Sequence, residues 1–284
     1  MLAGKVCLVT GASRGVGKGI AQKLGSSGAT VYVTGRSTRN DDSPFGGTVA
    51  ATADEVTRRG GKGIAIACDH RDDAQTGAVF DRIAKESGRL DILVNNATAI
   101  PDRLTEPGPF WEKPLAFADL FEVGARSTYV ASWFAAPMLI RSIGIIANIS
   151  SPGGWCFVHG PAYGGAKAAV DKMAFDMAHD FKPHRVAVVS LWLGLVKTEK
   201  VLSMNSSGAK KYENFLPFAE TPEFGGAIIE ALYADPNRME HSGKVFYAAE
   251  LAQHYGVKDE NGFAPPSGRA FIGDPPSYSP AVVE

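Results

Sequence analysis

The sequence predicts an α/β protein of a single domain: a doubly wound parallel sheet of the Rossmann type, with about seven strands and helices on both faces. Short apolar runs alternate with helix-like segments along the chain, which is the order of strands joined by helical crossovers. The runs are continuously apolar, as in 143–149, and this is typical of strands covered on both faces. With 284 residues, 45% of them hydrophobic, the chain can bury a sizeable core.

The elements follow from these runs and from the turn residues between them. We expect strands at 5–10, 30–34, 63–67, 90–94, 143–149, 185–191 and 244–247. We expect helices at 16–26, 48–59, 73–87, 115–141, 162–181 and 222–234. Residues 1–264 are assigned to the folded domain. Residues 265–284 are rich in proline, glycine and serine and form a C-terminal tail that is either disordered or placed across a neighbouring subunit.

A glycine-rich turn joins the first strand to the first helix. Its sequence is Gly11-Ala-Ser-Arg-Gly15-Val-Gly17, a spacing variant of the dinucleotide fingerprint. Glycines let the backbone approach a pyrophosphate, which the amides at a helix N-terminus then bind. The alternative is a turn that only needs glycine flexibility, but the strand before it and the helix after it favour phosphate binding. The candidate cofactor residues here are Gly11, Ser13, Arg14, Gly15, Val16 and Gly17.

The end of the second strand indicates which dinucleotide binds. An acidic residue about 20 positions after the glycines would bind the ribose hydroxyls of NAD, and none is present. Arg36 and Ser37 stand there instead, and Arg14 precedes Gly15. Guanidinium groups give bidentate contacts to phosphate, so the sequence favours NADP, with its 2′-phosphate, over NAD. The alternative is that both arginines face solvent.

Tyr163 and Lys167 lie four residues apart, and therefore on one face of a helix. A free tyrosine has a pKa near ~10, and a cation one turn away favours the phenolate. We therefore expect Lys167 to lower the pKa of Tyr163 and Tyr163 to act as an acid or base. A serine of the pair Ser150-Ser151 could bind a carbonyl oxygen beside it. Taken alone, the pattern also fits a half-buried tyrosine beside a solvated lysine.

The glycine turn and the Tyr163/Lys167 pair, in this order, resemble the short-chain dehydrogenase/reductase family. The resemblance covers about residues 4 to 250, and further motifs of the family match at Asn95-Asn96-Ala97 and at Ser190–Gly194. It implies catalytic roles for Ser151, Tyr163 and Lys167. It also implies that the cofactor contacts Asp69, Asn96, Ala97, Tyr163, Lys167, Val196 and Thr198. The family spacing of thirteen residues before the tyrosine points to Ser150, whereas the local pattern before the glycine pair points to Ser151, which we prefer.

Two departures from the family pattern concern the site. Leu193 stands where the family has a proline before Gly194, so that turn is expected to be less rigid. Gly124 stands in the place of a catalytic asparagine. The resemblance implies that this asparagine acts through its backbone carbonyl, which binds a water beside the lysine. Glycine has the same carbonyl, so a proton relay could persist.

These features predict an NADP-dependent carbonyl reductase or alcohol dehydrogenase. A non-catalytic dinucleotide-binding regulator of the same fold is the alternative, and an epimerase or dehydratase ranks last. We expect a hydrophobic small-molecule substrate below a lid formed by residues 199–220, although core packing could explain some of the aromatic residues equally well. The candidate substrate residues are Trp111, Trp155, Phe157, His159, Trp192, Tyr212 and Phe215.

Composition excludes several other classes. The net charge is −1 with the two signs mixed, so no nucleic-acid partner is expected. Three cysteines form no paired motif and six histidines no zinc-binding spacing, so we expect neither disulfides nor a metal. No signal peptide and no apolar run of about 18 residues is present, which predicts a cytoplasmic protein without a membrane partner. The family resemblance implies a homodimer or homotetramer that pairs through the helices 115–141 and 162–181.

Overall fold

The computed structural model describes residues 2–206 and 210–283. Its strands form one seven-stranded sheet in the order β3-β2-β1-β4-β5-β6-β7, and every neighbouring pair is parallel. The predicted fold class is therefore confirmed. The strands are β1 (Val6–Val9), β2 (Thr30–Gly35), β3 (Lys62–Ala67), β4 (Ile92–Asn95), β5 (Ile145–Ser150), β6 (Ala187–Trp192) and β7 (Val245–Tyr247).

Nine α-helices accompany the sheet within the described residues. They are α1 (Gly15–Ser26), α2 (Val49–Arg58), α3 (Asp73–Ser87), α4 (Ser127–Ser142), α5 (Pro161–Phe181), α6 (Glu199–Ser206), α7 (Phe224–Ala234), α8 (Ala248–His254) and α9 (Arg269–Ile272). Five of the predicted helices match α1, α2, α3, α5 and α7 within two residues at each end. The helices α6, α8 and α9 were not predicted.

The prediction of one helix over 115–141 is wrong. A 3-10 turn at Leu115–Ala118 and a wide helical turn at Phe121–Arg126 precede α4. The break lies at Gly124, whose φ of +155° is a conformation that favours glycine. Local hydrogen bonds hold it: the Gly124 amide donates to Ser127 Oγ at 3.0 Å, and Thr128 Oγ1 donates to the Gly124 carbonyl at 2.6 Å.

Both faces of the sheet are buried. Val9 faces a cluster that includes Ile20 of α1 and Ile228 of α7, whereas its neighbour Leu8 faces a cluster that includes Phe80 of α3. Consecutive strand residues point to opposite faces, so burial of both faces requires an unbroken apolar run. This explains why the strands were recognisable from the sequence. The described helices include none that is both long and apolar enough to span a membrane.

The strand order reverses beside β1, which lies between β2 and β4. Ligands of such sheets bind in the crevice at the carboxyl ends of the strands around this point. The loops that follow β1 to β6 carry most of the residues predicted to be functional, and Tyr163 and Lys167 lie near the start of α5.

The described part of the C-terminal tail packs against its own chain. The Tyr247 hydroxyl donates to the Gly273 carbonyl at 2.8 Å. Ile272 and Tyr278 contact the small cluster around Trp192, and the ring of Tyr278 lies 5.2 Å from that of Phe175 on α5. The tail therefore covers the α5 side of the sheet near β6 and β7.

Candidate active site

The glycine turn forms a cradle that tolerates no larger side chain. A Cβ atom on Gly17 would lie 2.4 Å from Asn96 Nδ2, and one on Gly11 would lie 2.7 Å from Ala97 Cα. Asn96 ties the turn to β4 by donating from Nδ2 to the carbonyl oxygens of Thr10 at 2.8 Å and Gly11 at 3.0 Å. The turn is thus packed tightly against the segment after β4, and a pyrophosphate would approach it at the N-terminus of α1.

The residues expected to bind a 2′-phosphate lie together at the end of β2. Arg14 Nη2 donates to Ser37 Oγ at 2.5 Å, and Arg14 Nε donates to the Gly46 carbonyl at 2.7 Å. Partial burial lowers the pKa of Arg14, and the nearby charge of Arg36 lowers it further. Arg36 itself is exposed. Two guanidinium groups near one another are suited to a doubly charged anion.

The remaining cofactor candidates follow other strands at the same edge. Asp69, after β3, is half-buried and accepts from the Arg71 amide at 3.1 Å. Val196, after β6, is buried and forms a parallel bridge with Glu220. Thr198 stands close to the glycine turn, since its Cγ2 would lie 3.5 Å from a Cβ atom on Gly15.

Ser151, Tyr163 and Lys167 come together around the start of α5. The Ser151 hydroxyl interacts with that of Tyr163, and Ser151 Oγ accepts from the Gly153 amide at 3.1 Å. A Cβ atom on Gly153 would lie 2.6 Å from Tyr163 Cε1, so only glycine lets the turn after β5 pack this closely on the phenol ring. The turn thereby fixes the serine beside the tyrosine.

Ser150 points away from this pair. It is 4% exposed, and its Oγ donates to the Lys167 carbonyl at 3.4 Å. It also interacts with the Asp171 carboxylate. The geometry therefore favours Ser151 over Ser150 as the serine that could contact a substrate.

The expected lowering of the Tyr163 pKa by Lys167 is wrong for the protein alone. Burial raises the pKa of Tyr163, and the hydrogen bond to Ser151 only partly opposes this. Burial also lowers the pKa of Lys167 to about 8, which weakens its positive charge. Lys167 Nζ lies 5.9 Å from the centre of the Tyr163 ring and donates to the Ile149 carbonyl at 2.9 Å. Helical spacing places the two residues together but does not reveal how deeply both are buried.

Gly124 and Leu193 are the positions in the site where the sequence departs from the family pattern, and hydrogen bonds fix the backbone at or beside each of them. The Gly124 carbonyl accepts from Thr128, and its part in a proton relay stays a prediction. Beside Leu193, the Gly194 amide donates to Glu220 Oε1 at 2.9 Å. Burial raises the pKa of Glu220 to about 7. Sequence reasoning missed Glu220, which is 26 residues from Gly194 and carries no motif.

Exposed aromatic side chains lie on the loops after β4, β5 and β6. Trp155 and Phe157 lie on the loop that joins Ser151 to α5, and the His159 ring contacts Tyr163 edge-on at 5.1 Å. Phe157 is 88% exposed. Trp111 and Phe215 are exposed on the loops after β4 and β6, while Tyr212 is half-buried on the latter.

The expectation for Trp192 is wrong. Its side chain is 1% exposed, it donates from Nε1 to Asp171 Oδ2 at 2.9 Å, and its ring packs on Tyr247. It lies within the core because it ends a strand that is buried along its whole length.

One group of potential metal ligands lies outside these residues. The fold brings ligand atoms of Asp235, His241 and His254 within 4.8 Å of one another, although their spacing in the sequence gave no sign of it. Asp235 Oδ2 accepts from the Tyr255 hydroxyl at 2.7 Å and lies 3.5 Å from His241 Nε2. Asp235 is thus already hydrogen-bonded within the chain, close to the end of α7.

The arrangement of glycine turn, serine, tyrosine and lysine on this sheet defines a class of protein. The chain belongs to the short-chain dehydrogenase/reductase family, since the family described as short chain dehydrogenase matches residues 5–208. It is therefore an oxidoreductase with a fold that binds a nicotinamide dinucleotide.

Particular relatives support this assignment. The chain is 40% identical over 271 residues to dehydrogenase/reductase SDR family member 1 of Mus musculus, and 38% identical to the Homo sapiens protein of that name, covering 91% of this chain and 84% of each relative. Its structure resembles a putative dehydrogenase from Xanthomonas campestris, with a TM-score of 0.76, 26% identity and 93% of each chain covered. It also resembles a metagenomic short-chain oxidoreductase in complex with NADP, with a TM-score of 0.67, 27% identity, and 87% of this chain and 96% of the other covered.

Proposed function

We propose that the protein transfers a hydride reversibly between NADP(H) and the carbonyl/alcohol pair of a hydrophobic small molecule. It would thus act as a carbonyl reductase or alcohol dehydrogenase. The observation that carries this proposal is that Ser151 lies beside Tyr163, on a turn whose Gly153 packs against the phenol ring, with Lys167 one turn further along α5. This trio follows β5 at the same edge of the sheet as the glycine turn.

The residues present fit the dinucleotide. The cradle at Gly11 and Gly17 leaves no room for a Cβ atom and lies at the N-terminus of α1, where backbone amides can bind phosphate. Arg14 and Arg36 favour NADP over NAD, and the similar metagenomic oxidoreductase was solved with NADP. When bound, the cofactor supplies the hydride, while the protein orients it and the substrate. Lys167 would bind the nicotinamide ribose.

Tyr163 would donate a proton to the oxygen of the reduced carbonyl. Because burial raises its pKa, the hydroxyl remains protonated at neutral pH, as a general acid must. Such assistance contributes about 10²–10⁴-fold to a rate. Ser151 Oγ would donate a hydrogen bond to the same oxygen as negative charge develops there.

The surroundings of this pair support a hydrophobic substrate. Trp155, Phe157 and Phe215 present apolar surface on the loops after β5 and β6. Lys211 Nζ of the segment 199–220 donates to the Thr105 carbonyl at 2.5 Å and so connects it to the loop after β4. Closure of these loops would exclude water during hydride transfer. We also propose a homodimer or homotetramer, with Trp133 of α4 among the exposed residues that it would cover.

Turnover tests the proposal directly. Purified protein is mixed with NADPH and a panel of hydrophobic ketones, and the loss of the reduced nicotinamide absorbance is followed. We expect consumption of NADPH with at least one ketone. Tyr163→Phe should reduce kcat by about 10²-fold or more while NADPH binding is retained. Tyr129→Phe, which removes an exposed hydroxyl on α4, serves as the matched control.

Two results would contradict the proposal. Full activity in Tyr163→Phe would show that the phenol is not the acid. Binding of NADPH without turnover of any ketone, and of NADP without turnover of the matching alcohols, would indicate the non-catalytic regulator instead.

A further inference from the structure

A buried carboxylate lies directly behind the active-site lysine. Asp171 follows Lys167 by one turn of α5 and is 1% exposed. Asp171 Oδ1 accepts from Ser190 Oγ at 2.5 Å, and Oδ2 accepts from Trp192 Nε1 at 2.9 Å. A charge this deep in a protein is costly unless it is hydrogen-bonded and paired with an opposite charge. The hydrogen bonds come from β6, and the opposite charge has to come from elsewhere.

Lys167 is the cation that interacts with Asp171. Its side chain is also buried, its Nζ donates to the Ile149 carbonyl, and Asp171 is the charged group whose field favours its ammonium form. Ser150 lies beside both residues, since its Oγ donates to the Lys167 backbone carbonyl at 3.4 Å and its hydroxyl acts to lower the pKa of Asp171. Burial raises the pKa of Asp171, and its hydrogen bonds and the Lys167 charge oppose this rise. Each charge is therefore favoured by the presence of the other.

We propose that Asp171 is a positioning residue of the active site: its carboxylate, fixed by Ser190 and Trp192, keeps the Lys167 ammonium charged in the cleft. The inference rests on the proposed function, in which a charged Lys167 binds the cofactor ribose. Two further titratable groups face Asp171: Tyr163 on the same helix and Tyr278, which the tail packs against α5. In the absence of Asp171, burial would drive Lys167 toward its neutral form within the physiological range.

The first test needs neither cofactor nor substrate. The free energy of unfolding is measured at pH 6.5 and pH 9.5 for the wild type, Asp171→Asn, Lys167→Met and the double variant. With Lys167 present, Asp171→Asn should be more destabilising at pH 6.5, where the ammonium is charged, than at pH 9.5, where it is not. With Lys167→Met, the cost of Asp171→Asn should be the same at both pH values.

An equal cost at both pH values in the presence of Lys167 would overturn the proposal. Asp171 would then serve only to accept the hydrogen bonds of Ser190 and Trp192. Should Asp171→Asn not fold, Ser190→Ala takes its place in the same cycle, since it removes one bond that fixes the carboxylate. Ser190→Ala should then lower the free energy of unfolding more at pH 6.5 than at pH 9.5, by less than Asp171→Asn would, and this pH dependence should disappear in the Lys167→Met background. A loss of stability that is the same at both pH values would again overturn the proposal.

The second test concerns the site. NADPH affinity is measured against pH by quenching of tryptophan fluorescence. The wild type should lose affinity as the pH rises through about 8, where Lys167 loses its proton, and Asp171→Asn should lose it about one pH unit lower. Asp176→Asn, an exposed position further along α5 that pairs with Lys172, should follow the wild type.

The two tests separate the two proposals. A pH-dependent cycle together with an NADPH affinity that does not respond to pH would support the pairing of Asp171 with Lys167, but would refute ribose binding by Lys167. The positioning role of Asp171 would be overturned if Asp171→Asn lost NADPH affinity at the same pH as the wild type. It would also be overturned if Asp176→Asn shifted this pH by as much as Asp171→Asn does.

Discussion

The backbone amide of Gly15 donates a hydrogen bond of 2.9 Å to Oε2 of Glu199, 184 residues further along the chain. Glu199 begins α6, and its other carboxylate oxygen lies 3.2 Å from Lys18 Nζ. Burial alone would raise the pKa of Glu199, but its hydrogen bonds and the Lys18 ammonium lower it, so the carboxylate is charged at neutral pH. An anionic side chain therefore lies at the helix N-terminus to which we assign the cofactor pyrophosphate.

Replacement of this carboxylate should strengthen cofactor binding. Glu199→Gln keeps the size of the side chain but removes the charge that competes with the pyrophosphate. A charge at a helix terminus is worth about 0.3–1 kcal/mol, so we expect NADPH affinity to rise roughly two- to fivefold by titration calorimetry. Glu213→Gln, which removes an exposed charge paired with Lys210, should leave the affinity unchanged. Weaker binding by Glu199→Gln would mean that Glu199 supports the bound state.

Alanine substitutions of the neighbouring residues Ser151 and Ser150 should affect different properties, the rate in the first case and the stability in the second. Ser151→Ala removes the hydroxyl beside Tyr163 and should lower kcat by about 10²-fold, the cost of losing one donor to a developing oxyanion. Ser150→Ala removes a buried hydroxyl that contacts the Lys167 carbonyl, and should lower the thermal midpoint more than the rate. Steady-state kinetics and thermal unfolding of both variants check this. A larger loss of kcat in Ser150→Ala would reverse the assignment.

Local signals account for most of the fold that the sequence predicted. The helix α3 runs over Asp73–Ser87, the range expected, because both of its ends are marked nearby. Asp72 caps the first turn by accepting from the amides of Ala74 and Gln75, and Gly88 ends the helix with a φ of +67°. The break before α4 was missed because no proline interrupts the apolar pattern there, and the turn at Gly124 depends on where the chain is packed.

The site was predictable only where a motif is short. The glycine turn and the pair Tyr163/Lys167 each lie within seven residues, so spacing alone predicted them. Glu199 and Glu220 were not recognised as parts of the site, because the partners of each come from other elements. Asp171 lies one turn after Lys167, but its burial and its hydrogen bond from Ser190 on β6 leave no sign in the spacing. Burial is equally invisible in spacing, and this is why the expected direction of the Tyr163 pKa was wrong.

Cofactor preference should change when the charge at the end of β2 is reversed. Arg36→Asp replaces an exposed guanidinium near Arg14 by a carboxylate, which repels a 2′-phosphate and can accept from ribose hydroxyls. A hydrogen bond to a charged group is worth about 1.5–3 kcal/mol, so the ratio of kcat/KM for NADPH over NADH should fall at least tenfold. Arg58→Asp, on the exposed face of α2, controls for the change in net charge. An unchanged ratio in Arg36→Asp would refute the 2′-phosphate assignment.

His70 is buried beneath the edge of the sheet that carries β2 and β3. Its Nε2 lies 2.8 Å from Thr34 Oγ1 on β2, and it is 5% exposed. Burial lowers its pKa from 6.5 to about 4. The folded state therefore binds this proton less readily than the unfolded chain does. The corresponding stability is complete above pH 6.5 and is lost as the pH falls toward 4.

Asparagine at this position should remove that part of the acid sensitivity. The pKa of His70 is lower in the folded protein than in the unfolded chain by about 2.5, which corresponds to about 3 kcal/mol in the free energy of unfolding. His70→Asn keeps a polar group near Thr34 but takes up no proton. Between pH 7 and pH 4 its free energy of unfolding should therefore fall by about 3 kcal/mol less than that of the wild type, as measured by urea denaturation. The exposed residue His184 provides the control, because His184→Asn should follow the wild-type curve. If the stability of His70→Asn depended on pH as that of the wild type does, His70 would already be able to accept a proton in the folded protein. Its burial would then not account for the loss of stability at acid pH.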